Sequence, residues 1–177
     1  MSAESRFLTL LRLLAHDPAA QGLQDDVAVL PVGGTRLILT SDTMVESVHY
    51  LPTDPPADIG WKLAAVNLSD LAAKGAKPVG CLLNYSLSGD DDWDAAFLEG
   101  LGEALERHAM PLLGGDTVSM PAGAPRSYSL TAIGEATSMP VPSRVGARAG
   151  DRLYVTGPVG DAGIGLDRAR AAPAAAS

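Results

Sequence analysis

Four acidic positions in this chain share one kind of setting. Asp25 and Asp26 precede the apolar run VAVL, Asp42 follows LILTS, Asp70 lies inside the small-residue stretch AVNLSDLAAKGA, and Asp116 follows PLLGG. Strand ends carry the loops in which sites usually form. Carboxylates gathered there with a Thr or Ser hydroxyl make an oxygen-only environment, which suits a hard cation. Mg²⁺ takes one or two carboxylates and completes its octahedron with water and phosphate oxygens. The glycines before Asp116 let the backbone approach a bulky anion, because no Cβ intervenes. One strand-end aspartate is a weak signal, since turns and caps also favour Asp. Four together are a stronger one. Asp70 also has a plainer reading: Asn67 precedes it on roughly the same helix face, and Lys74 follows at i,i+4, the spacing of an ion pair on a wet surface.

Other chemistries find less support. His16, His49 and His108 are far apart and Cys81 has no companion, so a zinc site is not indicated. GPVGDAGIG, near residue 160, lacks the Gly-Lys-Ser/Thr ending of a phosphate loop and the dinucleotide spacing. It remains either a plain glycine turn or a helix start whose amides can hold phosphate. No Ser/His/Asp nucleophile follows from spacing.

The elements that would position the aspartates can be read in order. SRFLTLLRLLAH has helical periodicity, with Phe7, Leu8, Leu11, Leu14 and Ala15 recurring at three and four, and Asp17-Pro18 stops it. DVAVLPV reads as a strand turning at Gly33-Gly34, and TRLILTSD as a buried strand ending in Thr40, Ser41 and Asp42. A helix is expected from about Pro55–Asp58 to a stop at Gly75, with Pro78 beyond it. VGCLLNYSL is the next strand, with Cys81 a small core residue. SGDDDWDAAFLEGLGEALERHA is a helix with acids in its first turn, where the macrodipole favours them. MPLLGGD is a short apolar run and RSYSLTAIGEA an alternating strand. The order β-α-β-α-β-β predicts an α+β fold with helices packed on one face of the sheet.

Near residue 140 the composition turns to Pro, Ser, Arg and Gly, which reads as a linker. One domain is therefore expected over 1–140. Over 141–177, RLYVTGPVGDAGIGLDRARAA reads as one strand, a glycine turn and a helix, the incomplete beginning of a second α/β domain, closing in PAAAS. The whole chain has 177 residues, 46% of them hydrophobic, and a formal net charge of −8. That charge argues against nucleic acid as a partner, because phosphate backbones are held by clustered basic residues. A single cysteine, no signal peptide and no apolar run of membrane length make a cytoplasmic protein the expectation, with no membrane partner.

QDDVAVL, TSDTMVESVHY, KLAAVNLSDLAAKGAKP, LLGGDT and SRVGARAGDRLYVTGPVGDAG together resemble the amino-terminal half of the thiamine-monophosphate kinases. That family lies in the superfamily of aminoimidazole ribonucleotide synthetase and selenophosphate synthetase. The likeness runs from residue 23 to about 166, in the family's order. NLSDLAAKGAKP and GGDT are shared across the superfamily, whereas SDTMVESVHY points to the kinase. The resemblance implies transfer of the ATP γ-phosphoryl group onto thiamine monophosphate, giving thiamine diphosphate, with several Mg²⁺ ions between nucleotide and aspartates. Matched by motif, Asp26, Thr40, Ser41, Asp42, Asp70 and Asp116 are the implied metal-binding set. His49 matches the position that touches thiamine monophosphate, and Gly115, Asp116 and Arg144 match positions that contact ATP. No residue is implied as an acid, base or nucleophile; catalysis is by positioning and metal. The amino-terminal domains of the family pair through their sheets, so a homodimer is implied.

The chain departs from that pattern where GLQDD replaces the usual GIGDD, placing Gln24 beside the implied ligands. It is also short against the family, whose second domain adds metal and substrate contacts. Two further readings therefore stand beside the kinase. One is a dimerising module that holds Mg²⁺ and nucleotide without turnover. The other is a different enzyme of the superfamily, though selenophosphate synthetase would need a reactive cysteine near its amino terminus, which is lacking here.

Overall fold

A computed structural model describes residues 2–171. The chain divides into two compact units after Arg144. The first begins with α1 (Ala3–Leu11), capped by the Ser2 hydroxyl, which accepts from the Ser5 N–H. None of its residues is buried, so the periodic apolar positions read from the sequence mark a helix that packs into no core of its own unit. Asp17 then caps a 3₁₀ turn over Pro18–Leu23, accepting from the Ala19 N–H.

Five strands follow: β1 (Ala28–Val32), β2 (Thr35–Val45), β3 (Ala76–Leu87), β4 (Leu112–Ser119) and β5 (Ser127–Ala136). They form one mixed sheet in the order β1-β2-β5-β3-β4. Only β3 and β4 run parallel; the other pairs are antiparallel. DVAVLPV and TRLILTSD form the hairpin β1–β2, whose Gly33 and Gly34 both take positive φ. The two longer helices are α2 (Pro56–Ala73) and α3 (Asp91–Arg107). Their acid-rich or Pro-led starts and the Gly75 stop, at φ +58°, fall where the sequence places them.

Alternation along β5 buries Tyr128, Leu130 and Ala132, and both helices cover that face. Ile59, Leu63 and Leu71 of α2 and Phe97, Leu101 and Ala104 of α3 complete the core with Ile38, Met44, Leu83 and Tyr85. Cys81 is fully buried among them, and burial raises its thiol pKa to about 11. The helices touch at glycines. A Cβ on Gly100 would stand 1.9 Å from the Ala57 carbonyl oxygen, and one on Gly60 would stand 2.1 Å from that of Phe97. Glycine is required at both contacts because the two backbones meet there.

The second unit contains α4 (Asp161–Ala171). The expected strand at RLYVTG does not form; residues 152–156 are irregular and exposed. A strand needs a neighbour for its N–H and C=O groups, and none pairs with this segment among the described residues. The closing PAAAS lies outside the described residues.

Candidate functional site

The carboxyl-terminal half of α2 lies across β2. Two polar residues of the helix, Asn67 and Asp70, reach the strand. The Asn67 side chain is fully buried. Its Nδ2 donates to the Leu63 carbonyl at 2.9 Å, and its Oδ1 accepts from the Asp42 N–H at 3.2 Å. One turn later, Asp70 Oδ2 accepts from Thr40 Oγ1 at 2.7 Å. Thr40 is itself buried and its hydroxyl also lies 3.4 Å from the Asp26 carbonyl oxygen. Asp26, Thr40, Asp42 and Asp70 are therefore brought to one place from a loop, a strand and a helix.

Their electrostatic settings differ. Burial pushes the Asp42 carboxyl pKa above its ordinary value, and the Asp70 charge pushes it further, against an opposing pull from His49. Asp25 is held the other way. Burial would raise its pKa, but the Lys74 ammonium and the Arg144 N–H outweigh this and keep it below the ordinary range. Asp26 is engaged by the Arg144 guanidinium, which donates to its Oδ2. Asp25, Asp26, Asp70, Lys74 and Arg144 line a cleft of about 210 Å³. Pockets for whole drug-sized ligands run from about 300 to 1,000 Å³, so this one has room for phosphates rather than a complete nucleotide. Every donor atom offered by the acidic group is oxygen. Among the described residues, no three His, Cys, Asp or Glu side chains converge as a set of metal ligands.

The remaining residues implied by the resemblance lie elsewhere. Ser41 alternates to the other face of β2, where its hydroxyl pairs with Thr131 at 2.9 Å. Asp116 is exposed on β4 in register with Asn84, and its carboxylate accepts from the Thr117 N–H. β4 is separated from β2 by β5 and β3, about 14 Å at the usual strand spacing. Gly115 packs against β3 so closely that a Cβ would meet the Leu83 carbonyl oxygen at 1.7 Å. His49, exposed just beyond β2, accepts the Val45 N–H at Nδ1, while its carbonyl accepts from Lys62 Nζ. Gln24 has φ −99° and an exposed side chain, so its backbone makes no demand for glycine.

Two participants are not evident from spacing. Lys74 does not pair with Asp70; its Nζ donates to Asp25 Oδ2 at 2.7 Å and to the Pro142 carbonyl at 3.1 Å. Asn67 stands out in the sequence as an amide among alanines, but its tie to the Asp42 backbone depends on where β2 passes the helix.

Comparison with known proteins gives this arrangement a lineage. Residues 24–136 match the family described as AIR synthase related protein, N-terminal domain. The thiamine-monophosphate kinase of Synechococcus elongatus is 39% identical over 161 residues, covering 89% of this chain and 48% of that protein. That of Caulobacter vibrioides is 42% identical over 161 residues, covering 89% of this chain and 45% of its own length. A solved structure described as AaThiL complexed with AMPPCP and TMP superposes with a TM-score of 0.85 at 26% identity, covering all of this chain and 57% of that one. The thiamine-monophosphate kinase structure from Stenotrophomonas maltophilia is 41% identical, with a TM-score of 0.54 over 71% of this chain and 39% of its own. The chain thus spans about half the length of the curated relatives it matches. With its mixed sheet, its helix-borne Asp70 and this likeness over most of its length, the chain belongs to the AIR synthase-related family and carries that family's amino-terminal domain.

Proposed function

We propose that this chain is the nucleotide-holding half of a thiamine-monophosphate kinase, which moves the γ-phosphoryl group of ATP onto the phosphate of thiamine monophosphate to give thiamine diphosphate. The observation that carries this reading is the meeting of Asp26, Thr40, Asp42 and Asp70 beside the Arg144 guanidinium. The names of the sequence relatives and the bound molecules of the neighbouring structure support the choice of substrates.

An acceptor phosphate oxygen attacks the γ-phosphorus while the bond to the β–γ bridging oxygen breaks, releasing ADP. The acceptor is already an anion, so no side chain is needed as a base. What the protein must do is bring two polyanions together and hold them in line. The acidic, all-oxygen set is of the kind Mg²⁺ takes, and burial together with the Asp70 charge opposes ionisation of Asp42, an opposition that a cation held there would relieve. Mg²⁺ bound there would neutralise phosphate charge. Thr40 fixes the Asp70 carboxylate and Asn67 fixes the Asp42 main chain. Arg144, released from Asp26, offers a forked donor to phosphate. His49, accepting at Nδ1, is set to present Nε2–H to the thiamine phosphate. Gly115 and Asp116 on β4 supply a further contact to ATP and metal, and Ser41 belongs to the same proposed set.

The exposed face of the sheet, opposite the helices, is the proposed surface for a homodimer. The protein is proposed to work in the cytoplasm; among the described residues, no helix is long and apolar enough to cross a membrane.

The test is turnover of the purified chain with Mg-ATP and thiamine monophosphate, scored for thiamine diphosphate and accompanied by nucleotide titration. Product that disappears in Asp42→Asn and Asp116→Asn, with both variants folded but unable to bind Mg-ATP, is the expected result. Nucleotide titrations unchanged in either variant would remove that residue from the site. Binding without product would favour a nucleotide-holding module.

A further inference from the structure

Lys74 caps the end of α2, one turn beyond Asp70, and its charge is directed away from that carboxylate. Its Nζ donates to Asp25 Oδ2 at 2.7 Å and to the Pro142 carbonyl at 3.1 Å. The same Asp25 oxygen accepts the Arg144 N–H at 3.2 Å. The arm over 142–144 is therefore fastened to α2 twice, directly at Pro142 and through Asp25 at Arg144. The side chains of Lys74 and Asp25 are only 6% and 5% exposed, unlike an ordinary surface pair. The Arg144 side chain that the arm carries is 58% exposed and stands over Asp26. Its own secondary structure is a 3₁₀ turn of three residues, Arg144–Gly146, too short to hold it rigidly.

We propose that Lys74 is a positioning residue for polyphosphate recognition. With Asp25 it latches the 142–144 arm across the cleft, so that the Arg144 backbone is already held there when a nucleotide arrives and only its side chain has to turn from Asp26. The proposal rests on the reading of Arg144 as a nucleotide contact. A binding group ordered beforehand does not have to be ordered at the moment of binding, and that saving appears as affinity. An arm set free would lower affinity on the order of tenfold, the effect of ordering one or two long side chains upon binding.

Two measurements test it. Amide hydrogen exchange over 142–146 in the unliganded chain reads the latch itself, and Lys74→Met should accelerate exchange of the Arg144 N–H by tenfold or more. Asp25→Asn, which keeps an acceptor oxygen for Lys74 and the Arg144 N–H, should do so to a smaller degree and serves if Lys74→Met does not fold. Titration with AMPPCP and Mg²⁺ then forms a double-mutant cycle. Lys74→Met should weaken binding about tenfold in the parent chain and cause no further loss beside Arg144→Gln. Unchanged exchange in both variants would overturn the latch, whatever the nucleotide does. Equal losses with and without Arg144 would overturn the positioning role, leaving Lys74 a structural cation. If exchange accelerates yet Arg144→Gln alone leaves AMPPCP affinity unchanged, the failure lies with Arg144 as a nucleotide contact, and the positioning role falls with it.

Discussion

Thr40 of β2 and Asp70 of α2 are joined by a 2.7 Å hydrogen bond, with the hydroxyl donating. The threonine is buried and the aspartate half-buried, so the bond fixes a carboxylate at the edge of water. Replacing Thr40 by the isosteric valine removes the donor and keeps the volume. Hydrogen bonds to charged groups contribute about 1.5–3 kcal/mol. Thr40→Val is expected to lose stability within that range in denaturant unfolding and to weaken Mg²⁺ binding. A variant as stable as the parent would show that Asp70 is solvated well enough without its partner.

Asp42 gives a pH dependence of definite sign. Burial first, then the Asp70 charge, raise its pKa above the ordinary 3.8. A carboxyl whose folded pKa is raised stabilises the fold while it is protonated. That contribution is complete below the ordinary pKa and is lost as pH rises through the raised one. Asp42→Asn should therefore gain on the metal-free parent in thermal melts as pH climbs from about 4 toward neutrality. The advantage should shrink when Mg²⁺ is added, because only the parent has a charge there for the cation to neutralise. A melting difference independent of pH would count against the raised ionisation.

The helix contact can be tested with two glycines in one helix. Gly100→Ala in α3 would drive a Cβ to 1.9 Å from the Ala57 carbonyl, forcing α2 and α3 apart. Overpacking of this kind costs about 1–3 kcal/mol, and the upper end is expected because backbone, not a side chain, must yield. Gly102→Ala meets nothing within 4 Å and should stabilise by up to about 1 kcal/mol through helix propensity. Opposite signs in paired thermal melts are the expected outcome. A tolerated Gly100→Ala would mean the helices can separate without loss of the core.

Much of this was legible in the chain because it is local. Gly75 stops α2 where a left-handed residue is needed and acids open α3, whereas TRLILTSD, which reads as a buried run, is only half-buried, with Ile38 and Thr40 turned inward. The aspartates at 26, 42 and 70 announce themselves as carboxylates in apolar company. What local pattern does not reveal is choice of partner. Lys74 stands at the right spacing for Asp70, but Asp25, 49 positions earlier, approaches it from the loop before β1. Periodicity likewise finds a helix over Ala3–Leu11 without saying whether anything packs on its apolar side, and none of its residues is buried. RLYVTG has the composition of a strand but no neighbouring strand among the described residues. Asp116 shares the glycine-Asp pattern of a strand end, while sheet order, a long-range property, sets it three strands from Asp42.

That sheet order has a temporal meaning as well. β5 is the last of these five strands to leave the ribosome, yet it occupies the middle of the sheet and supplies the hydrogen bonds on both sides, to β2 and to β3. Until Ser127–Ala136 has emerged, β1–β2 on one side and β3–β4 on the other share no ladder. Tyr128, Leu130 and Ala132, the inward row of the core, arrive at the same moment. Assembly of the sheet is thus a late, nearly single event during translation, and the long-range pairings it requires belong to the slow class. Until about residue 136 has emerged, Asp42 and Asp70 are borne by segments that no completed sheet yet holds together.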